Sequence, residues 1–207
     1  MGKIKIGVLA SGRGSNFKAI LEEINAGRCN AEPVVLITNN PDAPAIGIAK
    51  ESNIPVEIVQ RKDFASREDM DSKIKQILDE HQAGLVVLAG YMLILKGKDL
   101  LEAYKNKIIN IHPALLPSFP GVDAQKQAFE HGAKTSGVTI HFVDPGLDSG
   151  PIIYQEAVDI SDCKTADEAA AKILKTEHTA YAKVVDSFSK GHYEVEGRMV
   201  TFIPNKP

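Results

Sequence analysis

The chain has 207 residues, 43% of them hydrophobic and 25% charged, a composition that fits one globular domain with a carboxyl-terminal elaboration and excludes a disordered chain. A formal net charge of −3 with no block of Lys or Arg argues against a nucleic-acid surface but leaves room for small anions. Cys29 and Cys163 stand far apart without redox or metal-ligand spacing, so neither a disulfide framework nor a metal site is expected, and a reducing cytoplasm fits.

In chain order, Ile4 to Ala10 is an apolar run ending in Ser11-Gly12-Arg13-Gly14-Ser15-Asn16, after which Phe17, Ile20, Leu21 and Ile24 recur at helical spacing up to Gly27. This reads as strand, tight loop and helix, and Val34 to Thr38 closes a first βαβ unit. A turn at Asn39-Asn40-Pro41, a short helix over Ala45 to Ala49 and a strand over Pro55 to Val59 follow. Ser66 is an N-cap before Met70, Ile74, Ile77 and Leu78 on one helical face, and Leu85 to Ala89 is a Val/Leu strand covered on both sides. Its apolar surroundings, Gly84 to Leu95, are too short to cross a bilayer, and the amino terminus lacks a signal-peptide core and a myristoylation site, so no membrane association is expected.

Lys107 to Ile111 is the next strand, stopped by His112-Pro113, and a proline-stiffened loop leads to a helix over Val122 to His131. Gly137 to Val143 and Ile152 to Val158 then read as an antiparallel pair. Thr165 and Glu168 match a capping box for a last helix whose face runs Ala170, Ile173, Glu177, Tyr181, Val184 and Phe188, and Tyr193 to Ile203 reads as a hairpin around Glu196-Gly197. The fold class is therefore α/β: a Rossmann-like, doubly wound, mostly parallel sheet with antiparallel carboxyl-terminal strands.

Four features stand out. The glycine loop opening the first helix can hold a phosphate on backbone N–H groups; Phe17 at the third glycine position of a dinucleotide fingerprint, and no acid after Asn39-Asn40, favour one phosphate monoester over a dinucleotide. Asn110 and His112, two apart at a strand end, leave the same face of the sheet. They form either a ligand crevice or a satisfied turn network around Pro113. Asp148, in Gly146-Leu147-Asp148-Ser149-Gly150-Pro151, either organises its turn or orients His112 and favours the imidazolium. Glu177 interrupts an apolar stripe, which fits a salt bridge at the stripe's edge or a ligand contact, and His178 beside it is open to either reading. His81, His131, His141 and His192 carry no pattern beyond helix ends or strand alternation and read as structural.

The segment Asn110-Ile111-His112-Pro113-Ala114-Leu115-Leu116-Pro117-Ser118-Phe119-Pro120-Gly121, with His141-Phe142-Val143 and Leu147-Asp148-Ser149-Gly150-Pro151, resembles the formyltransferases that use 10-formyltetrahydrofolate. Ala10 to Asn16 is similar to the branch whose acceptor is glycinamide ribonucleotide, and the resemblance spans nearly the whole chain. It implies that Asn110, His112 and Asp148 are catalytic, and that Gly14, Ser15, Asn16 and Glu177 hold the acceptor. It also implies that Arg67, Met92, Leu93, Ile94, Leu95, Asn110, Asp144, Pro145, Gly146 and Leu147 contact the folate cosubstrate, with no metal. Leu93 departs from the arginine usual there, so any contribution of that side chain would be missing.

The implied organisation is a single domain over 1–207, with 1–110 as the phosphate-binding half and 111–207 as the catalytic and folate-binding half. The expected partners are small molecules, in a cytoplasmic monomer or homodimer. Chain length and acidity argue against the tRNA-formylating relatives, and Pro113 after the histidine argues against the deformylases. The other reading from the residues is a non-catalytic nucleotide-binding or sensor domain using the same loop and crevice.

Overall fold

Uninterrupted Val, Leu and Ile runs can serve as strands only where both sheet faces are covered, and the computed structural model, which describes residues 2–206, covers them so. The sheet has seven strands in the order β3-β2-β1-β4-β5-β6-β7. They are β1 Ile4–Leu9, β2 Ala31–Thr38, β3 Val56–Ile58, β4 Leu85–Leu88, β5 Ile108–His112, β6 Thr135–Phe142 and β7 Ile152–Asp159. β1 to β5 are parallel, and β6 and β7 are antiparallel to their neighbours. Helices α1 Ser15–Asn25, α2 Ala45–Glu51, α5 Ala124–Glu130 and α6 Ala166–Lys190 pack on one face; α3 Arg67–Glu80 and α4 Lys98–Ala103 pack on the other. Strands β8 Gly191–Glu196 and β9 Met199–Pro204 form a separate hairpin.

β4 shows the layering most simply. Leu85 and Val87 face the core under α1 and α6, while Val86 and Leu88 face the core under α3. Strand order reverses beside β1, since β2 and β3 extend one way and β4 and β5 the other, so the loops after β1 and β4 diverge around a crevice. Gly14 takes φ +70 in the loop after β1, and a Cβ there would meet Ala45 Cβ at 2.8 Å, so the turn into α1 needs glycine for both conformation and room.

The boundaries correct the sequence expectations in instructive places. His112 does not stop β5 but belongs to it, paired with Thr139, because it is Pro113 that lacks the donor. Ser66 forms a full capping box with Asp69. Thr165 forms only half of one: its hydroxyl accepts from Glu168 N–H at 3.1 Å, but the Glu168 carboxylate accepts from Lys164 N–H at 2.6 Å. Ala169, not Ala170, lies in the core, and α5 starts only after Asp123, whose φ of +56 breaks the helix. Helix α4 went unpredicted because Leu100 is its only buried residue and leaves no period to read. Met1 and Pro207, the ends of the expected domain, lie outside the described residues.

α6 is tied to the sheet by Tyr181, whose buried hydroxyl shares its one hydrogen between the carbonyls of Leu88 at 2.9 Å and Ile109 at 3.0 Å. One side chain thus bridges peptide oxygens of two adjacent parallel strands. Among the described residues no helix is long and apolar enough to cross a membrane.

Candidate active site

On β5, Ile109 and Ile111 point into the core under α6, which sends Asn110 and His112 to the opposite face. There the α3 layer has ended, and a crevice of about 550 Å³ opens between the loops after β1, β4, β5 and β6. His141 lies opposite Asn110 on β6, and the two side chains meet at 3.2 Å. His141 Nδ1 is 2.8 Å from the Phe142 carbonyl, which can only accept, so that nitrogen carries a proton, while Nε2 faces both Asn110 Nδ2 at 3.2 Å and Asp148 Oδ1 at 3.7 Å. The expectation that His141 is purely structural is thereby corrected: it holds the Asn110 amide in place. Alternation had shown its face but not which residue of β5 it would oppose.

His112 is 3% exposed. Its Nε2 lies 2.8 Å from the Phe119 carbonyl, and its Nδ1 lies 3.3 Å from Asp148 Oδ2. The loop between β6 and β7 thus brings Asp148 to His112, as anticipated. Burial pushes the His112 pKa below its ordinary value; Asp148 pulls it up, as expected, and so does the Phe119 carbonyl, but burial outweighs both. Burial acts to raise Asp148, but His141, the Gly121 N–H at 2.8 Å and His112 together hold its carboxyl below the usual range, so it is ionised.

At the α1 end, Gly14, Ser15 and Asn16 line the same crevice as Glu177 of α6. Glu177 is 5% exposed and makes no salt bridge within 4.0 Å among the described residues, against that possibility. Its partner is Asn16, whose Nδ2 donates to Oε2 at 2.7 Å. Burial raises the Glu177 pKa, opposed by that hydrogen bond and by Arg13. His178 turns elsewhere, and its buried Nε2 has no hydrogen-bond partner among the described residues.

Met92, Leu93, Ile94 and Leu95 line the crevice on the β4 side, and Asp144, Gly146 and Leu147 line it on the β6 side. Arg67 and Pro145 are not in its wall; Arg67 reaches it indirectly, through a hydrogen bond from Nη2 to the Ile94 carbonyl. Sequence reasoning missed Ser11, whose hydroxyl accepts from Met92 N–H at 2.9 Å and donates to Asn39 Oδ1 at 2.5 Å, joining the glycine loop to the β4 loop. A small hydroxyl where a strand meets a glycine loop was the available signal. Among the described residues no group of three or more His, Cys, Asp or Glu side chains is arranged to hold a metal ion.

An amide donor, a buried imidazole and an ionised carboxylate at the strand ends of an α/β sheet, in one cavity with a helix N-terminus, define a class of site suited to moving an acyl group onto an amine. Residues 4–185 match the Formyl transferase family, and the chain belongs to it. It is 41% identical over 181 residues to "Phosphoribosylglycinamide formyltransferase" of Bacillus subtilis (strain 168), covering 87% of this chain and 92% of that protein. It is 34% identical to the protein of that name from Haemophilus influenzae (strain ATCC 51907 / DSM 11121 / KW20 / Rd), covering 94% of this chain and 92% of the other. Its fold is similar to the crystal structure of glycinamide ribonucleotide transformylase 1 from Symbiobacterium toebii, with a TM-score of 0.93 at 39% identity over 97% of this chain and 94% of that one.

Proposed function

We propose that this chain transfers the formyl group of 10-formyltetrahydrofolate to the amine of glycinamide ribonucleotide, giving formylglycinamide ribonucleotide and tetrahydrofolate, a step of purine biosynthesis. The observation that carries the reading is the meeting of Asn110, His112 and Asp148 in one cavity with the glycine loop and Glu177. The names of its relatives supply the acceptor and the formyl group; the folate donor is what the sequence resemblance implies.

In this mechanism the acceptor phosphate sits on the N–H groups of Gly14, Ser15 and Asn16 at the positive end of α1, and Glu177 receives the acceptor's polar groups. The folate lies against Met92 to Leu95 and against the loop Asp144 to Leu147, Pro145 included, with Arg67 supporting the first of these walls from behind through the Ile94 carbonyl. The amine lone pair attacks the formyl carbon and the carbonyl electrons move to oxygen. Asn110 Nδ2 has two hydrogens and one nearby ring nitrogen, His141 Nε2 at 3.2 Å, so at least one hydrogen is available to that oxygen. The His112 Nε2–H can exchange the Phe119 carbonyl for the formyl oxygen without losing a hydrogen bond.

As negative charge develops on the formyl oxygen, it favours the imidazolium form of His112. The intermediate then collapses: the bond to N10 breaks, and N10 takes the proton lost by the attacking amine. Asp148 relays that proton, and its lowered pKa lets it release the proton again. The 1–110 half would carry the phosphate loop and the 111–207 half the catalytic residues and much of the folate wall, with Glu177 reaching across to the acceptor. All these groups belong to one chain, so a monomer or a homodimer would serve, and a cytoplasmic location follows from the pathway.

Mixing the protein with both substrates and following deformylation of the folate by absorbance, and the product by mass, tests the reading. Transfer that needs glycinamide ribonucleotide, and fails when water or initiator tRNA replaces it, is expected. Ligand binding without turnover would reject the reading.

A further inference from the structure

The folate-side loop is held to the molecule from behind by α3. Arg67 and Asp71, one turn apart on α3, share a helix face. The Arg67 guanidinium donates to the Ile94 carbonyl, and Asp71 Oδ2 accepts from the N–H groups of Lys96 at 2.6 Å and Gly97 at 2.8 Å. Ser11 holds the near end of the same segment through Met92 N–H at 2.9 Å. Residues 92–97 are therefore fixed at both ends and in the middle by three side chains that act on their backbone.

Asp71 is the unexpected member. Its relative exposure is 0%, and among the described residues its Oδ1 and the buried Tyr91 hydroxyl have no hydrogen-bond partner. An incompletely paired buried carboxylate is an inefficient way to stabilise a helix–loop contact, since an apolar side chain of similar volume avoids the desolvation cost. What a carboxylate supplies and an apolar group cannot is direction: two successive N–H vectors converge on one oxygen. Gly97 supports this. Its φ of −66 is open to any residue, so glycine is there for room, and a Cβ would lie 2.6 Å from Asp71 Cβ.

We propose that Asp71 is a positioning residue for the formyl donor, fixing the backbone of 96–97 and thereby the face that 92–95 turn to the cavity. The inference rests on the proposed reading of 92–95 as the folate wall. Asp71 touches no substrate. Its removal therefore weakens the donor side alone, by roughly tenfold or more, as expected when a binding surface shifts by about 1 Å.

The test uses the full chain with Asp71→Asn and, independently, Gly97→Ala, which forces helix and loop apart without removing the carboxylate. Tetrahydrofolate is the probe, titrated by calorimetry, with KM for donor and acceptor measured beside it and amide exchange followed by mass spectrometry. Faster exchange at 96 and 97, a tenfold weaker tetrahydrofolate Kd, a matching rise in donor KM and an acceptor KM within about twofold are expected. Should Asp71→Asn not fold, Gly97→Ala carries the same expectation. A tetrahydrofolate Kd within twofold of wild type in the folded variants, or donor and acceptor KM rising together, overturns the proposal. Weakened tetrahydrofolate binding in a protein that transfers no formyl group would keep this inference and discard the proposed function, whereas transfer with an unchanged Kd would do the reverse.

Discussion

Strand β5 and the loop between β6 and β7 contribute to the same site by opposite means. Asn110 and His112 are carried by a strand with ladders on both sides, to β4 and β6, so their backbone has little freedom. Asp148 is carried by a loop at φ +49, and its place depends on the contacts it makes, with the Gly121 N–H and His112. The strand residues are held whether or not they function; the loop residue is held by the site itself. The difference teaches that changes on β5 should alter chemistry without altering shape, while changes in the loop can do both.

The largest effect expected is on the strand: His112→Ala and Asn110→Ala each lower kcat by about 10²–10³-fold, with acceptor KM nearly unchanged. Steady-state kinetics on both substrates checks this, and normal turnover with lost acceptor binding would break the comparison. Next comes the loop, where a Cβ at Gly150 would lie 1.7 Å from the Phe142 carbonyl oxygen, a backbone atom that cannot swing aside. Gly150→Ala should lower both kcat and Tm, whereas Asp148→Asn should lower kcat with little loss of Tm; equal thermal effects would erase the distinction.

At the acceptor end, Glu177→Gln keeps the shape but not the charge and should raise acceptor KM roughly tenfold, with tetrahydrofolate affinity unmoved, because a hydrogen bond to a charged group contributes about 1.5–3 kcal/mol. Tyr181→Phe removes the donor to two strand carbonyls and should cost about 1–2 kcal/mol in urea unfolding. The smallest effect is in pH. Because the folded His112 pKa is depressed, the unfolded chain binds a proton that the folded chain refuses, so stability falls as pH drops from about 6.5 toward the folded value. His112→Gln should flatten that slope, and His178, also lowered by burial, should leave a remainder.

The sheet was legible because parallel strands covered on both faces must be continuous apolar runs, and Val86 to Leu88 can hardly be anything else. Asn110 and His112 were legible as a pair because period two puts them on one face. The partners of those residues were not. His141 meets Asn110 only through the antiparallel register of β5 with β6, and Glu177 meets Asn16 across 161 positions, which left a nearby cation as the simpler guess. The net direction of the His112 pKa also escaped, because the depth of burial that opposes Asp148 is not written in the sequence.

The shared hydrogen of Tyr181 has one more consequence. Glu177 stands a single turn before it, about 6 Å along α6, so the tyrosine sets where that carboxylate lies relative to the tip of β5. The helix therefore works as a ruler between the end of the crevice that grips an acceptor and the point where its nitrogen must arrive. An acceptor longer by one carbon–carbon bond, about 1.5 Å, would be gripped as well and yet react on the order of a hundredfold more slowly. Discrimination of this kind needs no pocket that rejects the wrong molecule, only a fixed distance that it fails to match.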